Sequence, residues 1–134
     1  MVGIVIVTHG AMAEGILDAA AMIVGDLEGV EAIALEEMDA VEDLMDRIST
    51  AVDEVDNGNG ALVLVDLFGA SPFNASARLL GEDQERNLEV ITGVNLPMVL
   101  EVAMQRGSEN LDALIEIAEE AATSGVKVLS RVLS

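Results

Sequence analysis

The chain has no cysteine, no tryptophan and no tyrosine, and its 134 residues include only two prolines and two phenylalanines. Without cysteine there is no disulfide framework, and a zinc site would have to rely on one histidine and carboxylates, which effectively excludes structural zinc. With Phe68 and Phe73 as the only aromatics, no stacking platform for single-stranded nucleic acid exists. Positive charge is equally scarce. Six Lys and Arg stand against 25 Asp and Glu, a formal net charge of −19, and that field repels phosphate polymers and anionic lipid head groups. Nucleic acid is therefore not an expected partner. The longest stretch free of charged acids and bases, residues 1–13, is shorter than the roughly 20 residues that span a bilayer and lacks the basic start of a secretory signal. A soluble cytoplasmic protein is expected. The acidity fits either a salt-adapted host or attraction of a basic partner, and a solvated acidic surface is its plainest meaning.

What the chain has is aliphatic bulk: 51% of residues are hydrophobic, enough for a core of Val, Ile, Leu, Ala and Met in one domain. Residues 2–8 are a nearly unbroken β-branched run, the pattern of a strand buried on both faces of a parallel sheet. Runs at 30–35, 61–67, 88–92 and 126–133 have similar character. Helical periodicity fills the gaps: Leu44, Met45, Ile48, Val52 and Val55 form one stripe, with Asp39 and Glu42 as capping pair and Asn57-Gly58 as a stop. Asn110 caps a second helix that ends at Gly125, and others run from about Ala11 to Val24 and from Pro97 to Gly107. The alternation predicts an α/β fold of three layers, a mostly parallel sheet with helices on both faces, over residues 1–134. The last run differs: Lys127 and Arg131 alternate with Val126, Val128 and Val132, as in a strand at an edge or paired across subunits. The methionines at 12, 22, 38, 45, 98 and 104 read as gap fillers in helices.

Ligand sites in open α/β sheets gather at the carboxyl ends of strands where the winding reverses. Three such ends mix glycine with polar side chains: Thr8-His9-Gly10, the stretch Asp66 to Pro72, and Thr92 to Pro97. In the commonest small doubly wound order the first and third strands are neighbours, so His9 and Asp66 come within hydrogen-bonding reach. A carboxylate on one ring nitrogen fixes the tautomer and frees the other nitrogen as a nucleophile. A helix starting after Gly10, and another at Ser71-Pro72 with Ser71 as cap, aim their amides at the same place. That suits a bound phosphoryl group and requires neither metal nor cofactor. Each signal has an ordinary counterpart: a lone strand-end His is commonly a surface residue, and glycine-rich loops occur in most parallel sheets. Their conjunction favours phosphohistidine chemistry.

Three stretches, Ile4 to Gly10, Val65 to Ala75 and Gly93 to Met98, together resemble the enzyme IIA (EIIA) component of the mannose family of the bacterial phosphoenolpyruvate-dependent sugar phosphotransferase system (PTS). The resemblance covers almost the whole chain. It implies a relay in which His9 accepts a phosphoryl group from the carrier protein HPr and passes it to an enzyme IIB (EIIB) partner, which phosphorylates sugar entering through a membrane permease. It implies that Asp66 orients the imidazole, that Ser71, with Gly10 and Gly69, holds the phosphoryl oxygens, and that Thr8, Phe68 and Asn95 line the pocket. Phe68 stands where relatives often carry Trp. The resemblance also implies a homodimer that exchanges its last strand, here 126–133 and expected to be antiparallel; no IIB stretch follows in this sequence, so the EIIB partner is expected on a separate polypeptide. Three rivals remain: an EIIA-like carrier serving dihydroxyacetone kinase, whose relatives usually lack the Ser-Pro-Phe-Asn stretch; a receiver phosphorylated on Asp66, which would need an acidic pair where Thr8-His9 stands; and a non-catalytic anion-binding dimer.

Overall fold

Four of the five β-branched runs become strands, β1 (Gly3–His9), β2 (Val30–Leu35), β3 (Ala61–Val65) and β4 (Leu88–Ile91), in a computed structural model that describes residues 1–134. They pair wholly parallel in the order β2-β1-β3-β4. The winding therefore reverses between β1 and β3, where ligand sites of such sheets collect. Five helices cover the two faces: α1 (Met12–Val24), α2 (Val41–Val55), α3 (Ser71–Glu82), α4 (Leu96–Gln105) and α5 (Leu111–Ser124).

Strand alternation sorts the core into two halves. Ile4, Ile6, Leu62 and Leu64 point to the layer of α1, α4 and α5, where they meet Ala13, Ala20, Met98, Val102 and Leu114. Val5, Val7, Val63 and Val65 point the other way, onto Leu44, Ile48 and Val52 of α2 and Ala75 and Leu79 of α3. All eight strand residues are fully buried, and burial stabilises by roughly 1.5–3 kcal/mol for each such side chain. Both layers therefore clamp the rows that carry the strand ends.

At the opposite end of the sheet, Arg106 is the one buried cation. Its guanidinium donates to the carbonyl oxygens of Val2, Gly29 and Glu28, tying the end of α4 to the starts of β1 and β2. Burial lowers its pKa, and the Glu28 carboxylate opposes that; an arginine so placed stays charged.

The structure corrects four local expectations. No fifth strand forms over 126–133: the segment is exposed and folds into a single turn, α6 (Leu129–Val132). A strand needs an edge to pair with, and here the backbone bonds itself instead, Val132 N–H to Val128 C=O and Leu133 N–H to Leu129 C=O. Asp39 does not cap α2, whose N-cap is Ala40. Its Oδ2 accepts the Glu36 N–H at 2.8 Å, closing the turn before the helix. Ser71 does not cap α3 but is its first residue, after the extended Ala70. Most methionines do not fill gaps: Met98 is buried, but Met12, Met22, Met38 and Met104 are exposed, and Met38 stands in a turn. Asn110 does cap α5, accepting the Ala113 N–H at 2.9 Å.

Candidate functional site

The register of β1 against β3 pairs Val7 with Val65, so Thr8 lies level with Asp66 and His9 one step beyond. The two chemistry-bearing side chains meet there. Asp66 Oδ2 accepts from the His9 backbone N–H at 2.9 Å and lies 2.8 Å from His9 Nδ1. One oxygen thus fixes both the backbone and the ring of the same residue. In the neutral ring, Nδ1–H donates to the carboxylate and Nε2 keeps its lone pair. The His9 side chain is 53% exposed and that of Asp66 only 12%, so the ring opens to solvent from a covered base.

Burial pushes the Asp66 carboxyl up, but hydrogen bonds from the His9 amide and ring, joined by the ring's charge whenever it is protonated, outweigh it and leave the pKa below its usual value. Its other oxygen, Oδ1, is buried without a hydrogen-bond partner. His9 supplies most of what stabilises the carboxylate, and the Asp66 backbone amide adds a smaller share.

Backbone geometry sharpens the turn into α1. Gly10 adopts φ +54°, a left-handed conformation that costs glycine least, and its N–H donates to Leu35 C=O at 2.9 Å. Gly69, at φ +83°, makes the corresponding turn between β3 and α3. Neither α1 nor α3 has a side-chain cap at its N-cap residue. α1 begins three residues after His9 and α3 five after Asp66, so two helix N-termini follow the strand ends that carry the site, and such termini stabilise anions. Ser71 stands at the first position of α3 with Pro72 after it.

The remaining candidates divide. Thr8 is fully buried and lies beneath the site rather than on its wall. Phe68 is exposed and packs against Phe73 with ring centroids 4.6 Å apart. Asn95 caps α4 through Met98 N–H at 3.0 Å and donates to Ala122 C=O on α5. Phe68 and Asn95 both line a groove of about 800 Å³ between β4, Phe73 and α5, so Asn95 is a helix anchor that borders this groove. Asn74, to which the sequence reading gave no role, donates from Nδ2 to Gly69 C=O at 3.2 Å and holds the loop after Asp66. Its only sequence signal is its place three residues after Ser71. Leu67 and Met38, two residues past β3 and three past β2, are exposed apolar residues in the loops that leave those strands. No group of three or more acids and histidines gathers closely enough to hold a metal ion.

A sequence profile of the family EIIA-man, described as "PTS system fructose IIA component", matches residues 3–119. The chain belongs to this family. It is 38% identical over 129 residues to the PTS system mannose-specific EIIAB component of Escherichia coli (strain K12), a match covering 96% of this chain and 39% of that protein. The chain thus spans about two fifths of the length of that relative. It is 31% identical over 125 residues to the PTS system sorbose-specific EIIA component of Lacticaseibacillus casei, covering 90% and 88% of the two chains. Among solved structures, phosphotransferase system component EIIA from Streptococcus agalactiae superposes with a TM-score of 0.90 at 30% identity, covering 98% of this chain and 99% of that one. The EIIA fold accounts for the sheet order and for both helix layers. No helix is long and apolar enough to cross a membrane.

Proposed function

We propose that this EIIA chain is a phosphoryl carrier in sugar uptake, taking the group from phospho-HPr on Nε2 of His9 and passing it to an EIIB histidine. The bond from phosphorus to the donor's imidazole breaks as one forms to His9 Nε2, and the donor ring leaves with the electron pair. The Nδ1 proton stays on its hydrogen bond to Asp66. The group leaves His9 for EIIB by the same exchange. The observation that carries this reading is the 2.8 Å contact of Asp66 Oδ2 with Nδ1, which in the neutral ring places the proton on Nδ1 and the lone pair on the other nitrogen, on a side chain open to solvent. Gly69 and Ser71, before and at the start of α3, provide amides and a hydroxyl for the phosphoryl oxygens, whereas Gly10, its own amide held by Leu35 C=O, serves by turning the chain into α1. Relatives named for mannose and sorbose support a sugar as the final acceptor. The exposed apolar residues at the strand ends and the acids Glu36, Glu37 and Asp39 beside them favour a protein donor with an apolar, basic face. Such a carrier works in the cytoplasm and reaches the membrane only through the permease.

The test is radiolabelled phosphoenolpyruvate with enzyme I and HPr. Label appears on the wild-type chain, is lost in acid and survives alkali, and His9→Gln abolishes it. Label that survives the substitution and is lost in alkali instead indicates an acyl phosphate on Asp66, and refutes the carrier.

A homodimer that shares its tails also fits the surface. The segment 126–134 presents Val126, Val128, Leu129, Val132 and Leu133 to solvent. It holds Lys127 and Arg131, the two cations neither buried nor paired with an acid. β4 has one free edge, and the groove beside it is apolar with Glu89 and Glu119 in its lining. The tail of a second copy matches that groove in polarity and charge. Sedimentation checks it: deletion of residues 126–134 yields monomers or aggregates, whereas an unchanged dimer refutes strand exchange.

A further inference from the structure

We propose that Thr8 is a positioning residue for the phosphoryl acceptor, its buried hydroxyl setting where the His9 ring stands against the start of α1. The proposal rests on the carrier reading of His9. Thr8 has no exposed surface, and its hydroxyl is used in both directions. Oγ1 accepts the Ala13 N–H at 2.8 Å and donates to the His9 C=O at 3.2 Å.

The first bond substitutes for a missing cap. α1 has Ala11 at its N-cap and no side-chain bond there, so an amide of its first turn would be buried without an acceptor if Thr8 did not reach it from the strand. Ala13 is itself fully buried, and water is not at hand to replace the hydroxyl. The second bond completes a clamp. His9 N–H is held by Asp66 Oδ2 at 2.9 Å, and its C=O is held by Thr8. Both polar groups of the histidine backbone are therefore bound to side chains, one from the residue just past β3 and one from its own strand. The next amide, Gly10 N–H, is fixed to Leu35 C=O at 2.9 Å. Three successive restraints set the origin of the imidazole relative to the helix that begins three residues later.

Asp66 aims the ring, and Thr8 fixes the platform on which the ring turns. Group transfer between two proteins depends on this alignment, since a shift of about 1 Å can cost on the order of 100-fold in rate. Threonine suits the position better than serine because its branched Cβ restricts χ1 within the strand, but the hydroxyl is the operative group.

The experiment compares wild type, Thr8→Val and Thr8→Ser, using phospho-HPr generated from enzyme I and phosphoenolpyruvate as donor. Thr8→Val keeps the shape and removes the oxygen. Its saturating transfer rate is expected to fall roughly 10- to 100-fold while the KM for phospho-HPr stays within about twofold, because the docking surface is untouched. Thr8→Ser restores the rate to within about threefold of wild type. Long-range nitrogen–proton NMR of the His9 ring supplies a readout that needs no donor: wild type and Thr8→Ser share one ring-nitrogen pattern, and Thr8→Val departs from it.

A folded Thr8→Val chain with wild-type rate and unchanged ring signals overturns the proposal. So does Thr8→Ser as slow as Thr8→Val. Should Thr8→Val fail to fold, Thr8→Ser decides, and a fall beyond about threefold overturns the role given to the hydroxyl. A wild-type chain that takes up no phosphoryl group refutes the carrier reading instead, and the ring spectra still judge Thr8.

Discussion

At the scale of single residues, one carboxylate oxygen does two jobs, and the two common replacements of Asp66 separate them. In Asp66→Asn the side-chain oxygen can still accept from the amide and from Nδ1 of His9, but the bond loses its charge and the NH₂ falls where the orphaned Oδ1 lies buried. Charged hydrogen bonds exceed neutral ones by about 1–1.5 kcal/mol, so transfer from phospho-HPr is expected to slow by about tenfold. Asp66→Ala releases ring and backbone together and should slow it by about a hundredfold. Stopped transfer assays on both variants check the order; equal rates would remove the charge from the account. The pairing of His9 with Asp66 was legible because strand-end position and sheet order are properties of pattern. The duties of Thr8 and Asn74 were not. Each depends on which amide or carbonyl a short side chain reaches across a turn, and the residue type alone does not say.

At the scale of elements, β2 and α2 share an acidic contact that makes stability depend on pH. Hydrogen bonding to Glu54, then burial, then repulsion by the Glu54 charge raise the Glu31 pKa from 4.5 to about 7. The folded chain therefore binds this proton more tightly than the unfolded one. Below about pH 4.5 both states hold it and the pair costs nothing; as the pH climbs to about 7 the folded state loses the advantage, so stability declines with rising pH across that window. Asp66 acts oppositely and lower down, withdrawing stability as acid protonates it through its lowered pKa. Glu31→Gln should flatten the decline in Tm between about pH 4.5 and 7, measured by thermal melts at fixed ionic strength. An unaltered slope would acquit the pair. Elements themselves were read from the sequence wherever burial on two faces or one helical stripe left a strong period, as in β1, β3 and α2. The tail failed for a matching reason: Lys127 and Arg131 amid valines make a strand pattern, but hydrogen bonds need a neighbour, and no pattern within the segment supplies one.

At the scale of the whole molecule, the charge of −19 sets a condition for folding. Arg47, Arg78 and Arg86 are paired with acids and Arg106 is buried, so most carboxylates face one another across water. Self-repulsion of this kind destabilises a compact chain and is screened by salt, whose Debye length falls from about 10 Å at 0.1 M to about 3 Å at 1 M. Tm is expected to rise on the order of 5 °C or more between 0.1 M and 2 M KCl. A flat curve in differential scanning calorimetry would show that the acids are spaced widely enough to be harmless.

The two rims of the sheet are unequal. β2 carries Glu31 on the face turned toward α2, near enough to Glu54 for their charges to repel, so any strand laid alongside would bring its own groups up to a crowded pair of acids. The β4 strand carries the single acid Glu89, whose Oε1 accepts the Val90 N–H at 2.9 Å. A ribbon with one flank crowded by like charges is a poor template for runaway growth, and a protein rich in aliphatic strands is thereby guarded against the fibre that its composition would otherwise invite.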